Sequence, residues 1–348
     1  MNTRSLPSAA PTGTIPDFAV APLTVAWEIT RACPLRCLHC RADAQHQRDP
    51  RELTTAEGLD VIAQAAEMGA RVFVITGGDA LARHDVFDLL TAARDSGMHV
   101  GFSPSVTPRL TADALTHAVG AGAATVHLSL DGASPETHDG LRRVRGSFAR
   151  TLTAIDAAHA TGARLQVGTS VARPTVRDLP AIVPLLAGRV DLWTLFFLVP
   201  TGRAHAADLL DAAAHERVLH WLADAALPCP ARTIAAPTYR RVLAQRGRPV
   251  GPAVNDGNGF AFVSHVGDVY PSGFLQMTAG NVRDAPLAHW YRDSPLFRSL
   301  RDPDRLGGKC GDCEYRRLCG GSRARAWGLT GDPLAADPTC AYEPATAA

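Results

Sequence analysis

The chain has no apolar run approaching the roughly 18–20 residues that a membrane-spanning helix needs. It also lacks an excess of either charge, with 35 basic side chains against 34 acidic ones and a formal net charge of +1. Without a long basic stretch there is no electrostatic footprint for nucleic acid. The first residues include Arg4 but no continuous apolar core before Pro11, so no secretory signal is read there. These absences predict a soluble, cytoplasmic protein with neither a membrane nor a nucleic acid as partner. At 348 residues the chain is long enough to bury one large core or two smaller ones.

Cysteine is present, and unevenly placed. Cys33, Cys37 and Cys40 form a C-x3-C-x2-C array directly after the strand-like run Leu23–Thr30, Cys310, Cys313, Cys319 and Cys340 gather in the tail, and Cys229 stands alone. In a cytosolic chain of this size such groups read as metal sites rather than disulfides, in a reducing, low-oxygen setting. Cys229 reads as a buried apolar filler. Three close thiolates leave one iron of a [4Fe–4S] cubane without a protein ligand, which makes a place to bind and reduce a small molecule. The alternative is zinc, for which Cys-x2-Cys is also suited, although His39 lies inside the array where it cannot easily fold back as a fourth ligand. The tail spacing serves a second cluster or a four-cysteine zinc site, and by itself leans slightly toward zinc.

Between residues 23 and 200, short apolar runs alternate with amphipathic stretches. Strands are predicted at 23–29, 71–75, 98–102, 124–130, 164–170 and 192–199, and helices at 55–68, 86–96, 111–121, 147–160 and 177–187. Thr54 with Glu57 three residues later is a capping box. Six strands alternating with helices imply an α/β fold with a parallel sheet, either a partial (β/α)6 barrel or an open doubly wound sheet. In both, chemistry sits at the C-terminal strand ends, where the first cysteines fall. The expected organisation is a disordered segment over 1–22, a core over 23–205, a helical connector over 206–257 and a tail unit over 258–348. That last unit opens on a hairpin, Phe260–Tyr270, turning at Gly267-Asp268.

The second strand runs into Thr76-Gly77-Gly78-Asp79, which by itself is a tight strand-to-helix turn. Combined with the cysteine array, it closely resembles the radical S-adenosylmethionine (SAM) superfamily, and its partial-barrel fold is the one then expected. The resemblance implies that SAM chelates the open iron and that the backbone of Gly77, Gly78 and Asp79 receives its amino group. Asp79 stands where the family usually has glutamate. Ser129 at the end of the fourth strand and Arg142 beyond it match the positions that bind SAM's ribose and carboxylate. Arg143 stands where relatives often have glycine. Ser103, Ser105, Gln166 and Thr169 are further candidates for SAM contacts, with ordinary polar strand ends as the alternative.

The tail resembles the SPASM and twitch auxiliary-cluster domains. Tyr270-Pro271-Ser272 stands where the first SPASM cysteine usually falls, which leaves thiolates for one auxiliary [4Fe–4S] cluster. The run Cys319–Arg325, continuing to Asp337-Pro-Thr-Cys340, resembles the radical SAM enzymes of haem and haem d1 formation. This implies oxidative modification of a carboxylate-bearing tetrapyrrole, by decarboxylation or side-chain loss, with maturation of a ribosomal peptide as the alternative. A non-enzymatic zinc module is the reading from another class. Arg316, Arg317, Arg323 and Arg325 are candidates to receive substrate carboxylates, the alternative being a solvated basic face. A low-potential donor such as flavodoxin or ferredoxin is the expected protein partner.

Overall fold

In the computed structural model, residues 15–345 are described. The strands are β1 Thr24–Glu28, β2 Val72–Thr76, β3 His99–Phe102, β4 Thr125–Ser129, β5 Arg164–Val171, β6 Leu192–Phe197, β7 Ala231–Ile234, β8 Phe260–Val263, β9 Asp268–Tyr270 and β10 Gly280–Asn281. The first helices are α1 Thr55–Glu67, α2 Val86–Asp95, α3 Ala112–Ala121, α4 Pro135–Arg142, α5 Ser147–Ala160 and α6 Leu179–Leu186. They are followed by α7 Ala212–Asp224, α8 Thr238–Gln245, α9 Leu287–Asp293, α10 Pro295–Arg301, α11 Gly308–Gly311 and α12 Arg323–Thr330. One sheet runs in the order β10-β9-β8-β1-β2-β3-β4-β5-β6-β7. Pairing is parallel from β8 through β1 to β7, and antiparallel for β8 with β9 and β9 with β10.

Alternation along each strand sends one set of side chains toward the helices. Val25, Trp27, Phe73 and Ile75 pack with Val61 and Ile62 of α1 and Leu89 and Leu90 of α2. Val126, Leu128, Leu165, Val167, Trp193 and Leu195 pack with Ile155, Ile182, Leu219 and Val242 from α5 to α8. The other set, including His127, Ser129, Gln166, Ser170 and Thr194, lies on the concave face of the partial barrel. Thr54 and Glu57 form both halves of the capping box that starts α1. Gly58 in α1 is required by its neighbour, since a Cβ there would stand 2.2 Å from Cη2 of Trp27.

Three features differ from the sequence expectations. The stretch expected as a helical connector contains β7, which pairs in parallel with β6; its four residues, Ala-Arg-Thr-Ile, include no apolar run to announce them. The tail unit does not begin as a separate body, because β8 pairs directly with β1 and its hairpin extends the main sheet. Of the N-terminal segment, residues 1–14 lie outside the described residues, but 15–22 are tied down. Tyr291 Oη donates to Phe18 O at 2.7 Å, Arg292 Nε donates to Val20 O at 2.7 Å, and Ala21 is buried. Cys229 packs, half-buried, against the second apolar core.

Candidate active site

The loop between β1 and α1 carries the first three cysteines and is gripped from several sides. Its entry is fixed by backbone bonds from Gly78 N to Thr30 O and from Asp79 N to Ala32 O, both 2.7 Å. This close approach explains the glycine pair. A Cβ on Gly77 would stand 2.7 Å from Thr30 O, and one on Gly78 2.6 Å from Ala32 O. Within the loop, Cys33 N donates to Gln45 O at 2.7 Å and Leu38 N donates to Leu141 O of α4 at 2.9 Å.

The far side of the loop is closed by residues that the motif reading did not single out. Gly202 is left-handed, with φ +63°, and a Cβ there would lie 2.4 Å from Cys40 O. Arg203 donates from N to Cys40 O at 3.0 Å, from Nε to Cys37 O at 2.9 Å and from Nη1 to Ala44 O at 2.8 Å. The signal was the Pro200-Thr-Gly-Arg203 turn at the end of the sixth strand, the same position in the fold as the glycine pair.

Each of the three sulfurs has a polar neighbour. Ser105 Oγ is 3.8 Å from Cys33 Sγ, Arg142 Nη1 is 3.9 Å from Cys37 Sγ, and Ala44 N is 3.5 Å from Cys40 Sγ. Burial raises the pKa of both Cys33 and Cys37. Both thiols stay protonated at neutral pH when free, and the positive charge of bound iron is what would favour thiolate. Three thiols on one pinned loop, with a polar group beside each, fit the sulfur side of a cubane that leaves one iron to SAM.

Asp79 is fully buried and serves the fold. Its Oδ1 accepts from Leu81 N at 3.2 Å and its Oδ2 from Thr107 Oγ1 at 2.8 Å, with Arg109 Nη1 at 3.6 Å. Burial raises its pKa, more than Thr107 and Arg109 lower it. Ser105 Oγ donates to Gly78 O, so this hydroxyl joins the cysteine loop to the glycine turn.

Arg142 lies next to the cysteine loop, but its fork is occupied. Nε and Nη2 both donate to Asp131 Oδ2, at 2.8 and 2.5 Å, leaving Nη1 facing Cys37. The expected bidentate receipt of a SAM carboxylate is therefore met inside the chain by Asp131. Asp131 also accepts from Ser170 N at 2.8 Å and faces His39 Nε2 at 3.7 Å. Burial would raise its pKa, but Arg142, His39 and His138 together hold it well below the carboxylate range. His39 is held down to about 4, chiefly by burial, and is neutral at pH 7. Arg143, in contrast, caps α4 in the left-handed conformation at φ 57°, which is why glycine suits this position.

Ser129 and Gln166 lie on the concave face, Ser129 paired with Gly168 and Gln166 with His127. Ser103 bonds through its backbone to Ile75 O at 2.9 Å and continues β3. Thr169 points the other way. It is fully buried, donating to Leu130 O at 2.7 Å and accepting from Trp193 Nε1 at 2.8 Å, so it supports the strands and does not reach the site.

The four tail cysteines line one small cavity together with Arg241, Lys309, Tyr315 and Tyr342. Gly320 and Gly321, at φ +68° and +65°, turn the chain there, and a Cβ on Gly321 would lie 3.0 Å from Cys310 Sγ. Burial and the neighbouring Cys340 and Cys310 push the Cys319 thiol up to about 12, so this sulfur too needs a metal to become thiolate. Four thiols around one cavity fit the four corners of an auxiliary cluster.

The tail arginines do not present forks to a substrate. Arg325 pairs with buried Asp337 through Nε at 3.2 Å and Nη2 at 3.0 Å. Arg323 is spent on Pro333 O and Ala335 O, at 3.0 and 2.7 Å, with Nη2 3.7 Å from Cys310 Sγ. Arg316 and Arg317 share Asp304 on the surface. The tail rests on the end of β6: Arg325 Nη1 donates to Leu198 O at 3.4 Å, and a Cβ on Gly328 would lie 3.0 Å from Pro200 Cγ. The turn that holds Cys37 and Cys40 thus also seats the tail.

A gripped three-cysteine loop beside a strand-end glycine pair, on a partial barrel, defines a radical SAM enzyme, and the chain belongs to that superfamily. The family model described as the Radical SAM superfamily matches residues 27–178. The chain is 36% identical over 342 residues to the AdoMet-dependent heme synthase of Methanosarcina barkeri, covering 93% of this chain and 97% of that protein. It is 31% identical over 342 residues to the mycofactocin maturase MftC of Mycobacterium tuberculosis, covering 94% and 85%. Against the pre-heme d1 synthase of Dinoroseobacter shibae, identity is 29% over 353 residues, covering 91% and 85%. The crystal structure of Streptococcus suis SuiB shares the fold, with a TM-score of 0.71 at 17% identity over 93% of this chain and 78% of that one. Among the described residues no helix is long and apolar enough to cross a membrane.

Proposed function

We propose that this enzyme oxidatively decarboxylates propionate-type side chains of a haem-type tetrapyrrole. The observation that carries the reading is the likeness to AdoMet-dependent heme synthase, 36% identical and covering 93% of this chain and 97% of that protein. Cys33, Cys37 and Cys40 would hold the cluster that, when bound, supplies the electron splitting SAM into methionine and a 5′-deoxyadenosyl radical. The backbone of Gly77, Gly78 and Asp79 is proposed to take SAM's amino group, and Ser129 its ribose. Arg142 and Asp131 keep the cysteine loop against α4, and Arg203 holds its other side. Taking one hydrogen from the side-chain carbon beta to the carboxylate gives 5′-deoxyadenosine and a substrate radical. Loss of CO2 and one electron then leaves a vinyl group. That electron needs a one-electron acceptor, the chemistry a cluster at Cys310, Cys313, Cys319 and Cys340 would supply.

Anaerobic incubation with SAM, a low-potential donor such as reduced flavodoxin or ferredoxin, and an iron porphyrin bearing propionates tests this. The expected result is 5′-deoxyadenosine together with a product lighter by CO2 and two hydrogens per side chain. The second reading, maturation of a ribosomal peptide, is favoured by the 31% identity with a mycofactocin maturase. Deoxyadenosine formation stimulated by a peptide and not by any porphyrin would replace the first reading with the second.

A further inference from the structure

The concave face carries a cation that nothing in the described chain neutralises. Strand pairing sets His127 opposite Gln166 and Thr194 opposite Arg232, on the face turned away from the core residues Leu128, Val167 and Leu195. Arg232 Nη2 donates to Gln166 Oε1 at 3.0 Å, and Nε donates to Thr194 Oγ1 at 3.2 Å. Two neutral acceptors on two neighbouring strands thus hold the guanidinium plane without cancelling its charge. Nη1 and the outer N–H of Nη2, which form the end-on fork, are not used by these bonds.

The surroundings add no acid. The Arg232 side chain is open to solvent, and the charged group acting on it is another cation, Arg164. Burial, Arg232 and His99 hold His127 down to about 3, so its imidazole is neutral at pH 7. The carboxylates nearer the strand ends on this face are already matched: Glu28 by Arg31 and Arg41, each at 2.8 Å, and Asp131 by Arg142 at 2.5 Å. An oriented arginine with a free fork and no counter-charge, at the wall of the barrel, suits a planar carboxylate.

We propose that Arg232, oriented by Gln166 and Thr194, anchors a carboxylate of the substrate on the barrel wall, with His127 beside it as a neutral hydrogen-bonding partner. This rests on the carboxylate-bearing substrate proposed above and gives that substrate a named contact. Substrate and SAM both carry carboxylates, so the test separates them.

The holoenzyme is titrated anaerobically with an iron porphyrin bearing four propionates, and separately with SAM, in wild type, Arg232→Gln and Thr194→Asp. The second variant supplies an internal carboxylate to Arg232 and keeps the charge and packing of the arginine, should the first fail to fold. The expected result is porphyrin binding weakened at least about tenfold in both variants, with SAM affinity within about twofold of wild type. Variants that bind the porphyrin as tightly as wild type would overturn the anchor while leaving the tetrapyrrole reading in place. Weakened SAM binding with porphyrin binding unchanged would assign the fork to SAM and also overturn it. Wild-type enzyme that binds no iron porphyrin would overturn both readings together.

Discussion

Adjacent arginines at the end of α4 have opposite physical roles. Arg142 neutralises a carboxylate that is 1% exposed and itself keeps only 13% of its side chain in solvent. Replacing it with alanine leaves Asp131 charged and unpaired. A loss of about 3 kcal/mol in unfolding free energy is expected, measured by denaturant titration of the apo protein. Arg143 carries the left-handed cap, so Arg143→Gly removes backbone strain and is expected to gain about 0.5–1 kcal/mol in the same measurement. Equal responses at the two positions would contradict this assignment. The sequence marked Arg142 as a carboxylate-binding position for SAM, but not that Asp131, eleven positions earlier, fills its fork. A pair formed between a strand end and a helix C-terminus leaves no periodic trace in the chain.

Among the elements, the turn after β2 and the turn after β6 act as opposing clamps on the cysteine loop. Gly78→Ala would drive a methyl group into backbone oxygens at 2.6–2.7 Å, which no side-chain rotation relieves. Gly202→Ala would do the same to Cys40 O and would also strain a positive φ. Each variant is expected to lose iron and SAM binding at the first site while keeping the tail iron, as read by iron content and visible spectra. The first clamp was legible as a motif. The second left only a faint signal, because a lone glycine in a Pro-Thr-Gly-Arg turn reads much like any strand end. Five of the predicted helices and all six predicted strands lie where their periodicity placed them. β7 and α4 escaped because neither carries an apolar pattern: β7 reads Ala-Arg-Thr-Ile, and α4 buries only His138 and Leu141.

For the whole molecule, the two cysteine sets predict about eight irons after anaerobic reconstitution, from two cubanes. Replacing Cys33, Cys37 and Cys40 together with alanine should leave about four. Loss of all iron in that variant would refute two independent sites. Acid should destabilise the fold over a wide range. His127 and His215 are both held down to about 3 by burial, so each contributes stability that is present above its unfolded value near 6.5 and is lost as pH falls toward 3. Glu28 is held down to about 2, from an ordinary value of 4.5. Burial opposes this shift, and Arg41, His265 and Arg31 outweigh it, so its contribution is lost between about 4.5 and 2. Stability measured against pH should therefore begin to fall below about 6.5 and keep falling to about 2. Glu28→Gln should flatten only the lower part.

What the sequence determined by itself is whatever depends on spacing along the chain. The thiolate array, the glycine pair, the capping box and the alternation of strand and helix are local patterns, and local sterics and hydrogen bonding enforce them. The tertiary structure decided which polar groups are consumed by the fold and which are left over. Arg142, Arg323 and Arg325 look free in sequence but are used up by Asp131, Pro333, Ala335 and Asp337. Arg232 drew no notice in sequence, yet it stands with its charge unmatched. The physical reason is that a buried charge must find its partner wherever the packing brings one. That partner is set by how strand register and loop approach turn the side chains toward one another, and no motif encodes it.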